Sequence, residues 1–178
     1  MSASGQRGRS DSDSAVYVRY ACRMQIRRFI STDAETLAKL YHASVHQGGL
    51  VDYSTAQVKA WSPAAPEPER YLRLAATRLI LVAIDEEGQI AGYGELEQNG
   101  HIDHLYCRPD RIGTGVGRAL CEALELAARR DCMPTLCVEA SEGARRLFER
   151  QGFRVDERNE FLLRGVPLHN YRMSKHLA

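Results

Sequence analysis

Arg108-Pro109-Asp110-Arg111-Ile112-Gly113-Thr114-Gly115-Val116-Gly117 lies between a strand pattern, His101 to Tyr106, and a long helical pattern from about Gly115 to Arg130. Glycines at alternate positions let the backbone turn tightly and approach a ligand with no Cβ in the way. The helix that follows aims its unpaired N–H groups and partial positive charge at the same place, so the junction suits an anion. A pyrophosphate is the natural guest; the plainer alternative is a turn that only packs the helix closely, and the loop by itself leaves both open. Two other phosphate sites fail on context. A Walker loop needs Lys and then Ser or Thr after its last glycine, whereas Gly117 is followed by Arg118 and Ala119. A dinucleotide fold needs parallel βαβ units and G-x-G-x-x-G, whereas this loop reads G-x-G-x-G and follows a hairpin.

Working outward, Leu79 to Ile84 is a continuous apolar run of the kind a buried strand shows. The turn Asp85-Glu86-Glu87-Gly88 leads it into Ile90 to Glu97, and Asn99-Gly100 is a strong hairpin signal into His101 to Tyr106. Beyond the loop, Val116, Ala119, Leu120, Ala123, Leu124 and Ala127 recur at helical spacing. Thr135 to Glu139 reads as a short buried strand. Ser141 caps a helix with inner face Ala144, Leu147 and Phe148, ending at Gly152; two strands, Phe153 to Leu163 and Val166 to Met173, turn at Arg164-Gly165. Nearer the start, Met24 opens a first strand, Thr32 to Glu35 and Ser54 to Gln57 read as capping boxes, and a third helical stretch follows Pro66. The pattern predicts an α/β (α+β) protein: a mixed, mostly antiparallel sheet of about seven strands flanked by helices.

Residues 1 to about 15 have almost nothing to bury, so disorder is expected there. Val16 to Tyr20 alternates like a strand, without an evident partner. The domain division is an extension over 1–23 and a folded domain over 24–178, with Met24 as a plausible natural start. A net charge of +1 gives no field that would demand nucleic acid or an anionic membrane, and Asp11 and Asp13 dilute the basic residues of the extension. No apolar run approaches the ~20 residues that cross a bilayer. Cys22, Cys107, Cys121, Cys132 and Cys137 are an odd, scattered set with no C-x-x-C pair, which reads as reduced thiols in a cytoplasmic protein without a metal site.

Ile102-x-x-Leu105-Tyr106-Cys107-Arg108-Pro109-Asp110, the glycine loop, Ala119-Leu120 and Ala144-x-x-Leu147-Phe148-Glu149-Arg150-Gln151-Gly152-Phe153 together resemble the GNAT superfamily of acetyltransferases, from about Met24 to the C-terminus. His101-Ile102-Asp103, the stretch from Asp52-Tyr53-Ser54 to Trp61, and the ending Leu163 to Met173 are similar to its YafP-like branch. The resemblance implies a sheet splayed between its two central strands and acetyl-CoA as co-substrate. It also implies that the backbone of Leu105, Tyr106 and Cys107 pairs with the pantetheine arm. The pyrophosphate would be held by the amides of Ile112, Gly113, Thr114, Gly115, Val116, Gly117 and Arg118. Ile112 stands where the family usually has Gln or Arg, leaving Arg111 as the nearby source of charge. Ser141 stands where Asn is common, and Phe148 where many relatives place a tyrosine that protonates the leaving thiolate.

Acetyl transfer to an amine needs a neutral nitrogen, so a proton must leave it, and an oxyanion must be stabilised. His101 and Asp103 share a strand face by period-two alternation, and Glu95 lies on the preceding strand; these are the candidate catalytic residues. His104 is expected to face the other way. The acceptor implied is a small amine, an amino acid or a peptide, meeting Tyr41, His42, His46, Tyr53 and Trp61. Cys107 raises an acetyl-cysteine route, against which direct transfer is preferred. The rival reading is an acyl-CoA-binding module without chemistry, and the last hairpin offers an edge for a homodimer.

Overall fold

The computed structural model describes Val18–Arg19 and residues 24–177. Its elements are β1 (Val18–Arg19), β2 (Gln25–Arg28), α1 (Ala34–Ala43), α2 (Thr55–Trp61), α3 (Glu69–Leu74), β3 (Leu79–Ile84), β4 (Ile90–Leu96), β5 (His101–Cys107), α4 (Val116–Arg130), β6 (Thr135–Ala140), α5 (Glu142–Arg150), β7 (Arg154–Leu163) and β8 (Val166–His176). They build one sheet of order β1-β2-β3-β4-β5-β6-β8-β7, in which, among the described residues, only β5 and β6 run parallel. The sheet, mixed and flanked by helices, is the one the periodicity predicts. The expected disorder of residues 1 to about 15 lies outside the described residues. Val18 and Arg19, for which the sequence suggested no partner, pair antiparallel with Ile26 and Gln25.

Each face of the sheet has its own core. On one side α4 lays Val116, Ala119, Leu120, Ala123, Leu124 and Ala127 against Leu81, Ala83, Ala91 and Ile102, the residues its helical period selects. On the other, Leu37, Ala38 and Leu40 of α1 and Tyr71 of α3 cover Ile80, Val82 and Tyr93. The approach of α4 depends on Gly92: a Cβ there would lie 2.8 Å from the Tyr106 carbonyl oxygen and 2.8 Å from Val116.

Local signals at the helix starts fare unequally. Ser54 and Gln57 form the expected capping box, the hydroxyl accepting from the Gln57 N–H and the amide oxygen from the Ser54 N–H. At Thr32 to Glu35 the box gives way to a 3-10 turn, Ser31–Asp33. There the Asp33 carboxylate accepts from the Ile30 N–H and takes a two-pronged bond from Arg27 of β2 at 2.7 and 2.9 Å. A charge-assisted fork of this kind outweighs a neutral cap. After α1 the chain widens into a π turn, Ser44–Gly48, before a 3-10 turn at Gly49–Val51. Such widened turns recur at functional sites.

Two irregularities in the middle of the sheet shape everything that follows. Gly94 pairs with Leu105 and Leu96 with Ile102, so Glu95 alone faces both Asp103 and His104: a β-bulge in β5. On its other edge β5 meets β6 only at His101–Cys137 and Ile102–Val138. From Asp103 onward the two strands diverge. Gly92→Ala is expected to lower stability by about 1–3 kcal/mol, as overpacking does. Urea unfolding would show it as a lower midpoint with an unchanged slope; an unmoved midpoint would contradict the close approach of α4.

Candidate active site

The divergence opens a cleft of about 1020 Å³. Leu105, Tyr106 and Cys107 form one wall, Ser141, Ala144, Leu147 and Gln151 the other. The glycine loop and the π and 3-10 turns, with Tyr53 and Trp61, complete the lining. A smaller hollow of about 540 Å³ under α2 and the β7–β8 hairpin holds none of the candidate residues.

Gly113 and Gly115 have φ of +80° and +98°, the left-handed region where a side chain is strained. Gly115 is the N-cap of α4 and no side chain caps the helix, so the first-turn amides of Val116, Gly117 and Arg118 are left for a ligand. Gly117 is needed for a different reason: a Cβ would meet Leu147 of α5 at 3.0 Å.

Side chains of the loop contribute less than expected. Arg111 is directed away from the cleft, onto Asp85 at 3.1 Å and Glu87 at 2.8 Å in the β3–β4 turn. The Thr114 hydroxyl donates to the Arg111 carbonyl, and Val116, the first residue of α4, is buried against the sheet. Ile112, 52% exposed, reaches across to the π turn, its Cδ1 2.8 Å from where a Gly48 Cβ would sit. Arg118 lines the cleft with its guanidinium on Glu122 at 2.7 Å. What the loop presents to the cleft is therefore backbone amide rather than the Arg111 guanidinium.

On α5, Ser141 accepts from the Ala144 N–H and lines the cleft as expected. Phe148 does not. It is buried with its ring 5.0 Å from that of Phe153, and Leu147 takes the place at the cleft. One residue along a helix is a rotation of ~100°, enough to turn Phe148 from the cleft face into the core.

The catalytic candidates gather on the α1/α3 face of the sheet, and none lines the cleft. Arg78, which precedes β3, holds three carboxylates: Asp103 at 2.6 Å, Glu97 at 2.7 Å and Glu95 at 3.1 Å. Glu95 is fully buried, whereas the Asp103 side chain is 32% exposed. Burial pushes the Asp103 carboxyl up, but His104, Arg78 and His101 outweigh it and hold it below its ordinary range. His101, 22% exposed, bridges the last pair before the splay, with Nε2 2.5 Å from Glu139 of β6 and Nδ1 3.6 Å from Glu97. His104 does not face away: the bulge turns it to the same side, where its Nδ1 lies 3.2 Å from Glu95 and 3.0 Å from the Tyr93 hydroxyl. The Arg70 guanidinium lies 3.5 Å from the His104 Nε2. Tyr93 then donates to Tyr71, and Tyr71 to the Leu37 carbonyl. Arg78 was missed by sequence reasoning. Its signal is its place: by alternation it shares a face with Glu95 and Glu97 across the β3–β4 register.

Also lining the cleft, Tyr53 accepts through its hydroxyl from the Glu142 N–H at 2.9 Å, with its ring 5.5 Å from Trp61. Tyr106 meets Tyr41 edge-on at 4.9 Å. The Tyr171 hydroxyl donates to Glu142 at 2.6 Å. That bond, with Arg145 and His169, overcomes the cost of burial and holds the Glu142 carboxyl down at about 2. Burial alone pushes the Cys107 thiol up to about 11.

A model of the acetyltransferase (GNAT) domain matches residues 50–175. Over 150 residues the chain is 27% identical to the uncharacterized N-acetyltransferase YafP of Escherichia coli, covering 84% of this chain and 94% of YafP. It is 31% identical over 151 residues to the peptidyl-lysine N-acetyltransferase YjaB of the same organism, covering 81% and 91%. Among solved structures, a GCN5-related N-acetyltransferase of Rhodopseudomonas palustris superposes with a TM-score of 0.78 at 35% identity, covering 85% of this chain and 94% of that one. The PaiA N-acetyltransferase of Thermoplasma acidophilum, solved with coenzyme A, shares the fold at a TM-score of 0.71 and 18% identity, covering 86% and 99%.

Glu142 gives a pH prediction. Its folded pKa lies below the ordinary carboxylate value of 4.5, so its stabilisation is present above that pH and is lost as pH falls toward 2. The acid limb of the stability profile is expected to be flatter in Glu142→Gln; coincident limbs would contradict the assignment.

Proposed function

We propose, for a chain that belongs to the acetyltransferase (GNAT) family and is therefore an acetyl-CoA-dependent acyltransferase, that the acceptor is a primary amine and that the acetyl group passes to it directly. The observation that carries this reading is the run of backbone from Asp103 to Cys107 that has lost its β6 partner beside an uncapped helix N-terminus. The run offers strand-like pairing to an amide-containing arm, and the amides of Gly113 and of Gly115 to Arg118 take the pyrophosphate. Both fit acetyl-CoA without calling on Arg111.

In the transfer, the amine nitrogen forms a bond to the thioester carbonyl carbon, the carbon–sulfur bond breaks, and the thiolate leaves with a proton from water. A backbone N–H near Tyr106 or Cys107 supplies the oxyanion donor. The amine proton passes through solvent to His101, on the sheet face that Tyr106 shares and partly open to water. Asp103, held ionised by its neighbours, draws the cationic acceptor toward that face. Glu95, sealed in the interior, acts as a positioning residue: it fixes Arg78 and His104, which hold Asp103. A Cys107 thiol pushed up to about 11 stays protonated near neutral pH, which supports direct transfer. The aromatic rings of Tyr53, Trp61 and Tyr106 in the cleft lining suit a small amine or a peptide end. The acceptor chemistry named for YjaB, a peptidyl lysine, is of that class.

Thiol release from acetyl-CoA, followed against amines, amino acids and short peptides, is expected to give turnover with a primary amine and none with the matching alcohol. His101→Gln should lower kcat by about 10²-fold, the loss of a positioned base, with little change in the KM for acetyl-CoA. Cys107→Ala should remain active. A His101→Gln enzyme with wild-type kcat would remove His101 from the chemistry, and an inactive, folded Cys107→Ala would contradict direct transfer.

A further inference from the structure

Arg146 and Arg150 stand one helical turn apart on α5, both exposed, and both line the cleft. Among the described residues neither side chain forms an ion pair or a hydrogen bond. The reason is local: Arg145 takes both acids within its reach, Glu142 and Glu149, at 3.0 Å each. Across the cleft, Arg118 is on Glu122. The net charge of the chain is +1, so this pair belongs to no general excess of positive charge.

The cleft gives the pair a direction. Gly117 and Leu147 bring the first turn of α4 against α5. A ligand with its pyrophosphate on the α4 amides therefore lies against α5, where Arg146, Arg150 and Gln151 line the same cleft. Coenzyme A carries a second phosphate group there, the monoester on its ribose 3′ oxygen, distinct from the pyrophosphate. Paired guanidinium groups match a phosphate through fork-shaped, charge-assisted hydrogen bonds. We infer that Arg146 and Arg150 form a phosphomonoester seat that selects coenzyme A over its 3′-dephospho form. This rests on the seating of coenzyme A in the glycine-loop cleft.

The test is calorimetric titration of the full chain with CoA and with 3′-dephospho-CoA. The native protein is expected to bind CoA about tenfold more tightly, the scale of a hydrogen-bonded charge, with the preference shrinking as salt is raised. Arg146→Ala/Arg150→Ala should lose the preference while keeping its affinity for dephospho-CoA. Equal affinity of the native chain for both compounds would overturn the seat and leave the cleft intact. An equal loss of both compounds in the double variant would also overturn it, by making the arginines structural. No binding of either compound to the native chain would overturn the seat and the cleft together.

Discussion

Two parallel strands that pair over two residues and then part leave a stretch of backbone with donors and acceptors facing nothing. Inside a sheet that arrangement is costly, because buried peptide groups need partners. Here it is tolerated because the unpaired edge opens onto a cleft instead of the core. The rest of the molecule follows from the parting. The core on the α4 side continues beneath it through Leu105 and Cys107, α5 stands back far enough to form the opposite wall, and the glycine loop ends the strand where it is widest. A ligand that completes the sheet and presents an anion to α4 satisfies both sets of unused groups at once.

The bulge at Asp103 and His104 is the companion constraint. By placing two consecutive side chains on one face it concentrates Glu95, Glu97, Asp103, His101 and His104 around Arg78. Burying Glu95 is tolerable only with this pairing, since an unpaired interior carboxylate costs several kcal/mol. The same cluster divides labour by depth. Glu95 is sealed and organises its neighbours, while Asp103 and His101 meet solvent.

What the sequence discloses is what depends on neighbours along the chain. The strand and helix periods, the Ser54 capping box and the glycines of the loop are local and legible, most within a residue or so of their ends, though the last strand runs three residues past Met173 and the third helix begins only at Glu69. The capping box at Thr32 fails because Asp33 finds Arg27 on a different strand. His104 is misjudged because strict alternation presumes a regular ladder, and a bulge is decided by register against β4. Phe148 turns inward and Arg111 turns to Asp85 for the same kind of reason: their partners come from elements distant in sequence. The splay was implied by family resemblance; composition and period carry no sign of it.

The most direct test of the account is amide hydrogen exchange with and without acetyl-CoA. Leu105, Cys107 and the first-turn amides Val116 to Arg118 should gain protection on addition of the co-substrate, because those amides face away from protein acceptors and would exchange water for ligand. Exchange in the β7–β8 hairpin should stay unchanged. Unaltered exchange at the parted strand and the loop, or protection confined to the hairpin, would contradict the placement of acetyl-CoA between β5 and β6.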